Sequence, residues 1–345
     1  MERAISTESP IGALRLSEIL GRKVGTVTVE ASAPTILSHV WRLKLAYDGE
    51  TGPPTLFLKT HNRNKPAVAK FGHHEVAFYR TLAPEMPADI LVRCHELHLD
   101  EATGDWHLLL EDLRDTHTSP SQWPLPPTLA DSELVIRTLA RFHAAWWDDK
   151  RLGLSIGAWN DLADLASGQR QMTEAVTKFA DALGDRFTPD KRAFYERLIE
   201  HTGPLSERYH SHRHMTIVHG DAHVWNCFLP RPGIAGTPRL FDWDSWRVDY
   251  ATDDLAYQMA LHWYPDVRRT RESHLLDAYH DELLKRGVAG YDRRALQDDY
   301  RLSVLWMTMK PVWQHAWNIP AHIWWPHLAR IHMAVDDLGC REWLD

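Results

Sequence analysis

An acid, an amide and a second acid stand at an informative spacing in the middle of the chain. Asp221 follows the apolar run 216–218, Asn226 comes five residues later, and Asp242 follows a second apolar run. A carboxylate so placed can orient a hydroxyl group and accept its proton, while an amide and a carboxylate can supply oxygen ligands to Mg²⁺. The spacing predicts phosphoryl transfer, with Asp221 as the base and Asn226 and Asp242 as metal ligands.

A lysine and a glutamate nearer the N-terminus could complete such a site. Lys59 ends the apolar run 56–58, and residues 72–82 have the pattern of a helix with Glu75 in its first turn. A strand lysine held by a helix glutamate presents a fixed ammonium group to phosphates. Taken alone, Lys59 could equally be a solvated strand end, but beside Asp221 and Asp242 we expect Lys59 and Glu75 to bind a nucleotide.

The elements that must position these residues form two lobes. Short apolar runs before residue 112 predict a small antiparallel sheet with one helix, and helical periodicity dominates after it. We therefore expect an α+β fold with a nucleotide-binding lobe over 1–112 and a larger helical lobe over 113–345. The predicted strands are 24–30, 39–47, 55–60, 90–100 and 106–110. The predicted helices are 11–20, 72–82, 132–147 (with Asp131 or Ser132 as N-cap), 170–184, 189–209, 253–263, 272–286, 293–309 and 322–337.

Several motifs between about residues 20 and 265 resemble those of the aminoglycoside phosphotransferase and choline kinase-like family, which has a protein kinase-like fold. They are His219-Gly220-Asp221 with Asn226, Phe241-Asp242-Trp243-Asp244, Asp253-Asp254-Leu255-Ala256, 109–113 and 139–143. The His-Gly-Asp and Asp-Trp-Asp sequences favour this small-molecule branch over protein kinases. The Glu75-x-x-Phe78-Tyr79 and Glu111-Asp112-Leu113 features resemble the ecdysteroid kinase-like subgroup in particular.

The resemblance implies an enzyme that phosphorylates a small molecule with ATP and Mg²⁺, with the residue roles given above. Glu111 and Leu113 would lie in the connector between the lobes, where the backbone can hydrogen-bond an adenine edge. Residues 31–38 stand where a phosphate-covering loop is expected, and Ser38 could donate its hydroxyl there. This loop contains no glycine, which departs from the family pattern.

Aromatic residues predict an organic acceptor. The chain has 16 tryptophans, and Trp225 lies inside the presumed catalytic loop. An aromatic pocket could stack a quaternary ammonium or hold a flat or hydrophobic alcohol. Because few acids cluster nearby, we expect a hydroxyl-bearing metabolite or antibiotic that is less polycationic than an aminoglycoside. The candidate acceptor residues are Trp225, Asp244, Tyr250, Trp263, Trp313 and Trp317.

Two other functions stay open at this point. The glycine-free loop would suit a kinase-like protein that binds ligand without turnover. Alternatively, histidines two residues apart can share a metal ion, so a metallohydrolase is conceivable. The histidines in question are His210, His212, His214, His219 and His223.

Composition narrows the class of protein further. The formal net charge of −8 and the absence of a basic patch argue against a nucleic-acid partner. No apolar run approaches the roughly 18 residues that span a bilayer, and the N-terminal sequence lacks a signal-peptide core. Three widely separated cysteines do not suggest a disulfide framework. We expect a cytoplasmic protein whose partners are a nucleotide and a small-molecule acceptor.

Overall fold

An antiparallel sheet followed by many helices gives the α+β architecture that the sequence predicts. The structure is a computed structural model that describes residues 9–35, 38–62 and 69–345. Contacts divide the chain into two units. The first comprises Met1–Ser119 and Asn226–Trp246, and the second comprises Pro120–Trp225 and Arg247–Asp345. The boundary at residue 112 stays a prediction.

The first unit is built on a five-stranded sheet. Its strand order is β1-β2-β3-β5-β4, with every neighbouring pair antiparallel. The bounds are β1 Val24–Pro34, β2 Ser38–Tyr47, β3 Thr55–His61, β4 Cys94–Leu99 and β5 Trp106–Glu111. The helices are α1 Ala13–Leu20 and α2 Ala69–Thr81, and a smaller sheet joins β6 His117–Thr118, β8 Cys227–Pro230 and β9 Arg239–Leu240.

Alternation along β3 decides where its lysine points. Leu56 and Leu58 lie in a buried cluster with Leu16 of α1, so these side chains share one face of the sheet. Successive side chains of a strand point to opposite faces. Lys59 therefore projects from the face opposite to the α1 cluster.

The second unit is mainly helical. Its short sheet pairs β7 Thr216–Val218 antiparallel with β10 Arg247–Asp249. The helices are α3 Leu129–Ala145, α4 Leu162–Leu183, α5 Pro189–Glu200, α6 Thr202–His210, α7 Thr252–Ala256, α8 Pro265–Lys285, α9 Arg293–Met307, α10 Met309–Ala316 and α11 Ala321–Asp337. Within the described ranges, no helix combines the length and the apolar character needed to cross a membrane.

Several predicted element ends were wrong. The N-cap of α3 is Thr128 rather than Asp131 or Ser132, because its hydroxyl accepts the amide of Asp131. The predicted helix 189–209 is broken at His201 into α5 and α6. The predicted helix 253–263 is the short α7 followed by one π-helical turn, Tyr257–Leu261. The predicted strand 90–100 is shorter, since it begins only at residue 94.

Candidate active site

A buried ion pair occupies the face of the first unit from which β3 projects its lysine. Lys59 Nζ lies 2.6 Å from Glu75 Oε2 of α2, and it also hydrogen-bonds Asp242 Oδ1. The Glu75 side chain is 1% exposed and that of Lys59 is 13% exposed. Burial works to lower the pKa of Lys59, but the carboxylates of Asp242 and Glu75 outweigh it and raise this pKa above its ordinary value. The ammonium group is therefore permanently charged.

The segment after β9 packs against α2. Trp243 is fully buried and stacks on Phe78 of α2, with ring centroids 3.9 Å apart, and its amide donates to Glu75 Oε1 at 3.4 Å. Asp242, just before it, has a φ of 69°, in the left-handed region that non-glycine residues rarely adopt. Such backbone strain persists only where the surroundings enforce it, and it clusters at functional sites. The Trp243 stack thus fixes both Glu75 and Asp242.

Pairing of β8 with β9 brings the predicted amide ligand next to the predicted acid. Cys227 pairs with Leu240, and the Phe241 amide donates to the Asn226 carbonyl at 3.2 Å. Asn226 therefore lies beside the residue that precedes Asp242. An amide oxygen and a carboxylate are hard donors of the kind that Mg²⁺ prefers. The donor chemistry of these two residues fits the predicted metal.

The predicted phosphate-covering loop is only partly described. Its residues 36 and 37 lie outside the described residues, and the flanking Thr35 and Ser38 hydrogen-bond each other, Oγ1 to Oγ, at 2.8 Å. Ser38 is buried. Its hydroxyl is thus already engaged with Thr35, and the predicted contact between Ser38 and a nucleotide stays a prediction.

The other predicted residues of the first unit have structural partners. Glu111 Oε1 accepts the Arg93 amide at 2.8 Å. The Leu113 carbonyl accepts the Thr116 amide at 3.0 Å. Asp244 Oδ1 accepts the Ser245 hydroxyl at 2.7 Å. The roles of Glu111 and Leu113 towards adenine and of Asp244 towards an acceptor stay predictions.

In the second unit, Asp254 of α7 holds the loop that carries the predicted base. Its carboxylate accepts the backbone amides of His219 at 2.7 Å and Gly220 at 2.9 Å. His143 Nε2 lies 3.0 Å from the same carboxylate, and Tyr279 contacts the other ring nitrogen at 2.7 Å. Burial opposes ionisation, yet the hydrogen bond and charge of His143 lower the pKa of Asp254. A buried carboxylate thus fixes the backbone immediately before Asp221.

Asp221 itself is held by a residue that the sequence did not reveal. The Tyr257 hydroxyl donates to Asp221 Oδ1, and His223 Nε2 lies 3.6 Å from Oδ2. The side chain keeps 29% of its surface exposed. Burial acts to raise the pKa of Asp221, but the charges of His223 and Lys310 and the Tyr257 hydrogen bond lower it below its ordinary value. Asp221 is therefore ionised, accepts the Tyr257 hydroxyl and keeps part of its side chain exposed.

Rings from the predicted catalytic loop, from the π-helical turn with the residue after it, and from α11 cluster near this carboxylate. His262 lies between His223 and His327, with ring centroids 5.6 and 4.6 Å away, and Trp225 is 5.8 Å from it. Burial lowers the pKa of His262 well below its ordinary value and that of His327 to about 3. Both imidazoles are therefore neutral. The predicted acceptor residue Trp225 belongs to this ring cluster, which we define as Trp225, His223, Tyr257, His262 and His327.

The other predicted acceptor residues of this unit differ in how far they are buried. Tyr250 is buried and packs against Tyr209, with ring centroids 6.0 Å apart. Trp263 is 1% exposed, whereas Trp317, just after α10, is 64% exposed. Trp313 lies one helical turn earlier, and its carbonyl accepts the Trp317 amide at 2.9 Å. Acceptor contacts by these four residues stay predictions.

The histidines proposed for a metallohydrolase have other neighbours. His212 stacks on Trp159 with centroids 4.0 Å apart, and His214 packs against Tyr291 at 5.0 Å. In the part of the chain that the structure describes, no three His, Cys, Asp or Glu side chains are grouped so as to hold a metal ion. The arrangement that this alternative requires is not formed by these residues.

The antiparallel sheet followed by helices is the architecture of kinase-like phosphotransferases, the class that the motifs predict. The model of the ecdysteroid kinase-like family matches residues 35–287, most of the chain. The chain belongs to the ecdysteroid kinase-like family, which confirms the resemblance drawn from the motifs.

Two solved structures are similar to this chain. One is a GDP complex of a mutant aminoglycoside 2′-phosphotransferase-IIIa, with 10% identity, a TM-score of 0.50, and 93% of each chain covered. The other is a microcompartment-associated aminopropanol kinase, with 11% identity, a TM-score of 0.45, and coverage of 92% of this chain and 90% of that one. A comparison with curated protein sequences gave no match. At this identity, the first likeness shows the fold alone.

Proposed function

We propose that this protein transfers a phosphoryl group from ATP, together with Mg²⁺, to the hydroxyl of a small organic molecule. The observation that carries the proposal is the Lys59 ammonium, which is held by buried Glu75 and paired with Asp242, a residue with left-handed backbone. Phosphoryl transfer needs fixed positive charge and positioning more than covalent chemistry. A buried ion pair costs desolvation, and binding nucleotide phosphates gives a reason to keep it.

The first unit would bind the nucleotide and the metal. Lys59 would contact nucleotide phosphates, while Asn226 and Asp242 would supply oxygen ligands to Mg²⁺. When bound, the ion would neutralise charge on the phosphates and help to align them. Glu75 would keep Lys59 extended, and the stack of Trp243 on Phe78 would keep Glu75 in place.

The second unit would supply the base. The Tyr257 hydroxyl would orient the Asp221 carboxylate, which would accept a hydrogen bond from the acceptor hydroxyl. The depressed pKa of Asp221 makes it a hydrogen-bond acceptor throughout the neutral range, suited to orienting the hydroxyl and receiving its proton late in the transfer. The hydrogen bonds from the His219 and Gly220 amides to Asp254 would hold the Asp221 carboxylate in position.

ATP consumption across amino alcohols, sugars, antibiotics and hydrophobic alcohols tests the proposal, with products examined by ³¹P NMR. We expect Mg²⁺-dependent formation of a phosphomonoester from at least one class of alcohol. The matched control is Asp221→Asn, which preserves shape and removes the charge. A protein that binds ATP and forms no phosphoester with any of these alcohols would be the ligand-binding alternative, and the proposed activity would be refuted.

A further inference from the structure

We propose that Lys310 makes the acceptor side of this site reject ammonium-bearing alcohols, so that the acceptor is an uncharged or acidic alcohol. The inference rests on the proposed phosphotransfer and names the chemical class of its acceptor. It follows from three features of the second unit: the placement of Lys310, the charge of the groups around Asp221, and the pairing of nearby carboxylates.

Lys310 of α10 already occupies a face of the aromatic ring that orients Asp221. Its Nζ lies 4.7 Å from the ring centroid of Tyr257, whose hydroxyl donates to Asp221. A quaternary ammonium is recognised by stacking on such a ring face within about 6 Å. An acceptor ammonium beside Asp221 would therefore meet a resident ammonium at the place where it would otherwise be stabilised.

The surroundings of Asp221 contain further positive charge but neutral imidazoles. Arg330 of α11 is buried, and its guanidinium donates to the His262 carbonyl at 2.8 Å. The lowered pKa values of His262 and His327 keep both rings uncharged. Lys310 acts on Asp221 as a positive neighbour. Bringing an acceptor ammonium close to these positive side chains in a partly desolvated site is unfavourable, whereas an acceptor with a neutral or acidic substituent is tolerated.

The carboxylates that line one further cavity of this unit are hydrogen-bonded within the fold. A cavity of about 310 Å³ is lined in part by Asp164, Asp249 and Asp253. Arg247 donates to Asp249 at 2.9 Å and also to Asp253, so the two carboxylates share one guanidinium. Asp164 Oδ2 accepts the Asp161 amide at 2.9 Å in the capping box of α4. Each of these acids has a partner within the fold, unlike the acids of a site built to collect amines.

A pair of alcohols that differ only in charge tests the inference. Choline and 3,3-dimethylbutan-1-ol have the same shape, with N⁺ in one replaced by carbon in the other. Binding of each to the ATP-loaded protein would be measured by saturation-transfer NMR, and turnover by ³¹P NMR. In the wild type we expect the neutral alcohol to be favoured over choline by at least tenfold. Lys310→Met should bring that ratio close to one, mainly by improving choline.

The ratio of neutral-alcohol to choline binding separates this role from a general effect of Lys310 on catalysis. A contact between Lys310 and phosphate would change the turnover of both alcohols equally. The matched control is Lys178→Met, which removes an exposed lysine of α4 and should leave the ratio unchanged. Equal or stronger binding of choline in the wild type, or an unchanged ratio in Lys310→Met, would overturn the inference about Lys310. Neither result would bear on the proposed phosphoryl transfer. Failure of every alcohol to yield phosphoester would instead refute the proposed function, while the binding ratio still tests Lys310.

Discussion

Replacing Lys59 by methionine should destabilise the protein as well as stop turnover. The substitution leaves Glu75, whose side chain is 1% exposed, as a buried carboxylate that has lost its ammonium partner. Removing one member of a buried ion pair costs roughly 3–5 kcal/mol. We expect the lower end, about 3 kcal/mol, because the Trp243 amide still donates to Glu75 and the Asp242 side chain is 35% exposed.

The loss should depend on pH in a defined direction. Burial already raises the pKa of Glu75, and loss of Lys59 removes the charge that opposes this effect. A carboxyl whose pKa is higher in the folded than in the unfolded state destabilises the protein above the folded pKa, and this cost fades as the pH falls towards the unfolded pKa. The deficit of Lys59→Met relative to the wild type should therefore be larger near about pH 8 than near about pH 5.

Urea unfolding followed by tryptophan fluorescence at both pH values measures these quantities. The control is the double variant Lys59→Met/Glu75→Leu, which replaces the pair with apolar side chains of similar size. It should recover stability to within about 1 kcal/mol of the wild type while remaining inactive. Wild-type stability of Lys59→Met near neutral pH, or a deficit that grows on acidification, would refute the reasoning.

Substitutions at three further positions test how the proposed catalytic groups are held. Tyr257→Phe should raise the pKa of Asp221, because the charged carboxylate loses a hydrogen bond. The acid limb of the pH profile of kcat/KM should then move to higher pH, and an unshifted limb would contradict this role of Tyr257. Asp254→Asn should cost about 2 kcal/mol in urea unfolding and lower kcat, because the amide cannot accept both backbone bonds as a carboxylate does. Trp243→Ala should cost about 3–5 kcal/mol, and Trp243→Phe much less because it keeps an aromatic ring against Phe78; equal losses would argue against the stack.

Groups positioned by regular periodicity were predictable from the sequence. Lys59 follows Leu58 in an alternating strand, and Glu75 lies in the predicted helix, so a contact between them needed only a sheet packed against that helix. The prediction of Glu75 in the first turn was wrong, because the helix begins at Ala69 and Glu75 lies in its middle. The family resemblance and the α+β class rested on the same local motifs and were confirmed. The metal-ligand roles of Asn226 and Asp242 stay predictions, although the pairing of β8 with β9 brings their backbones close together.

Groups positioned by irregular backbone or by tertiary packing were not predictable. Tyr257 stands at the start of a π-helical turn, which a 3.6-residue period cannot reveal, and only the fold brings its hydroxyl to Asp221. Residue type also did not predict which tryptophans are buried, because Trp263 lies in the core and Trp317 lies on the surface. The position of Lys310 over the Tyr257 ring likewise required the structure.

The most direct test of the account compares phosphoester formation by the wild type and by Asp221→Asn under identical ATP and Mg²⁺ concentrations, with nucleotide binding measured in parallel by calorimetry. We expect the wild type to form a phosphomonoester of an alcohol, and the variant to bind nucleotide with similar affinity but to lose at least a hundredfold in turnover, about 2.7 kcal/mol of transition-state stabilisation. Near wild-type turnover in Asp221→Asn would contradict it.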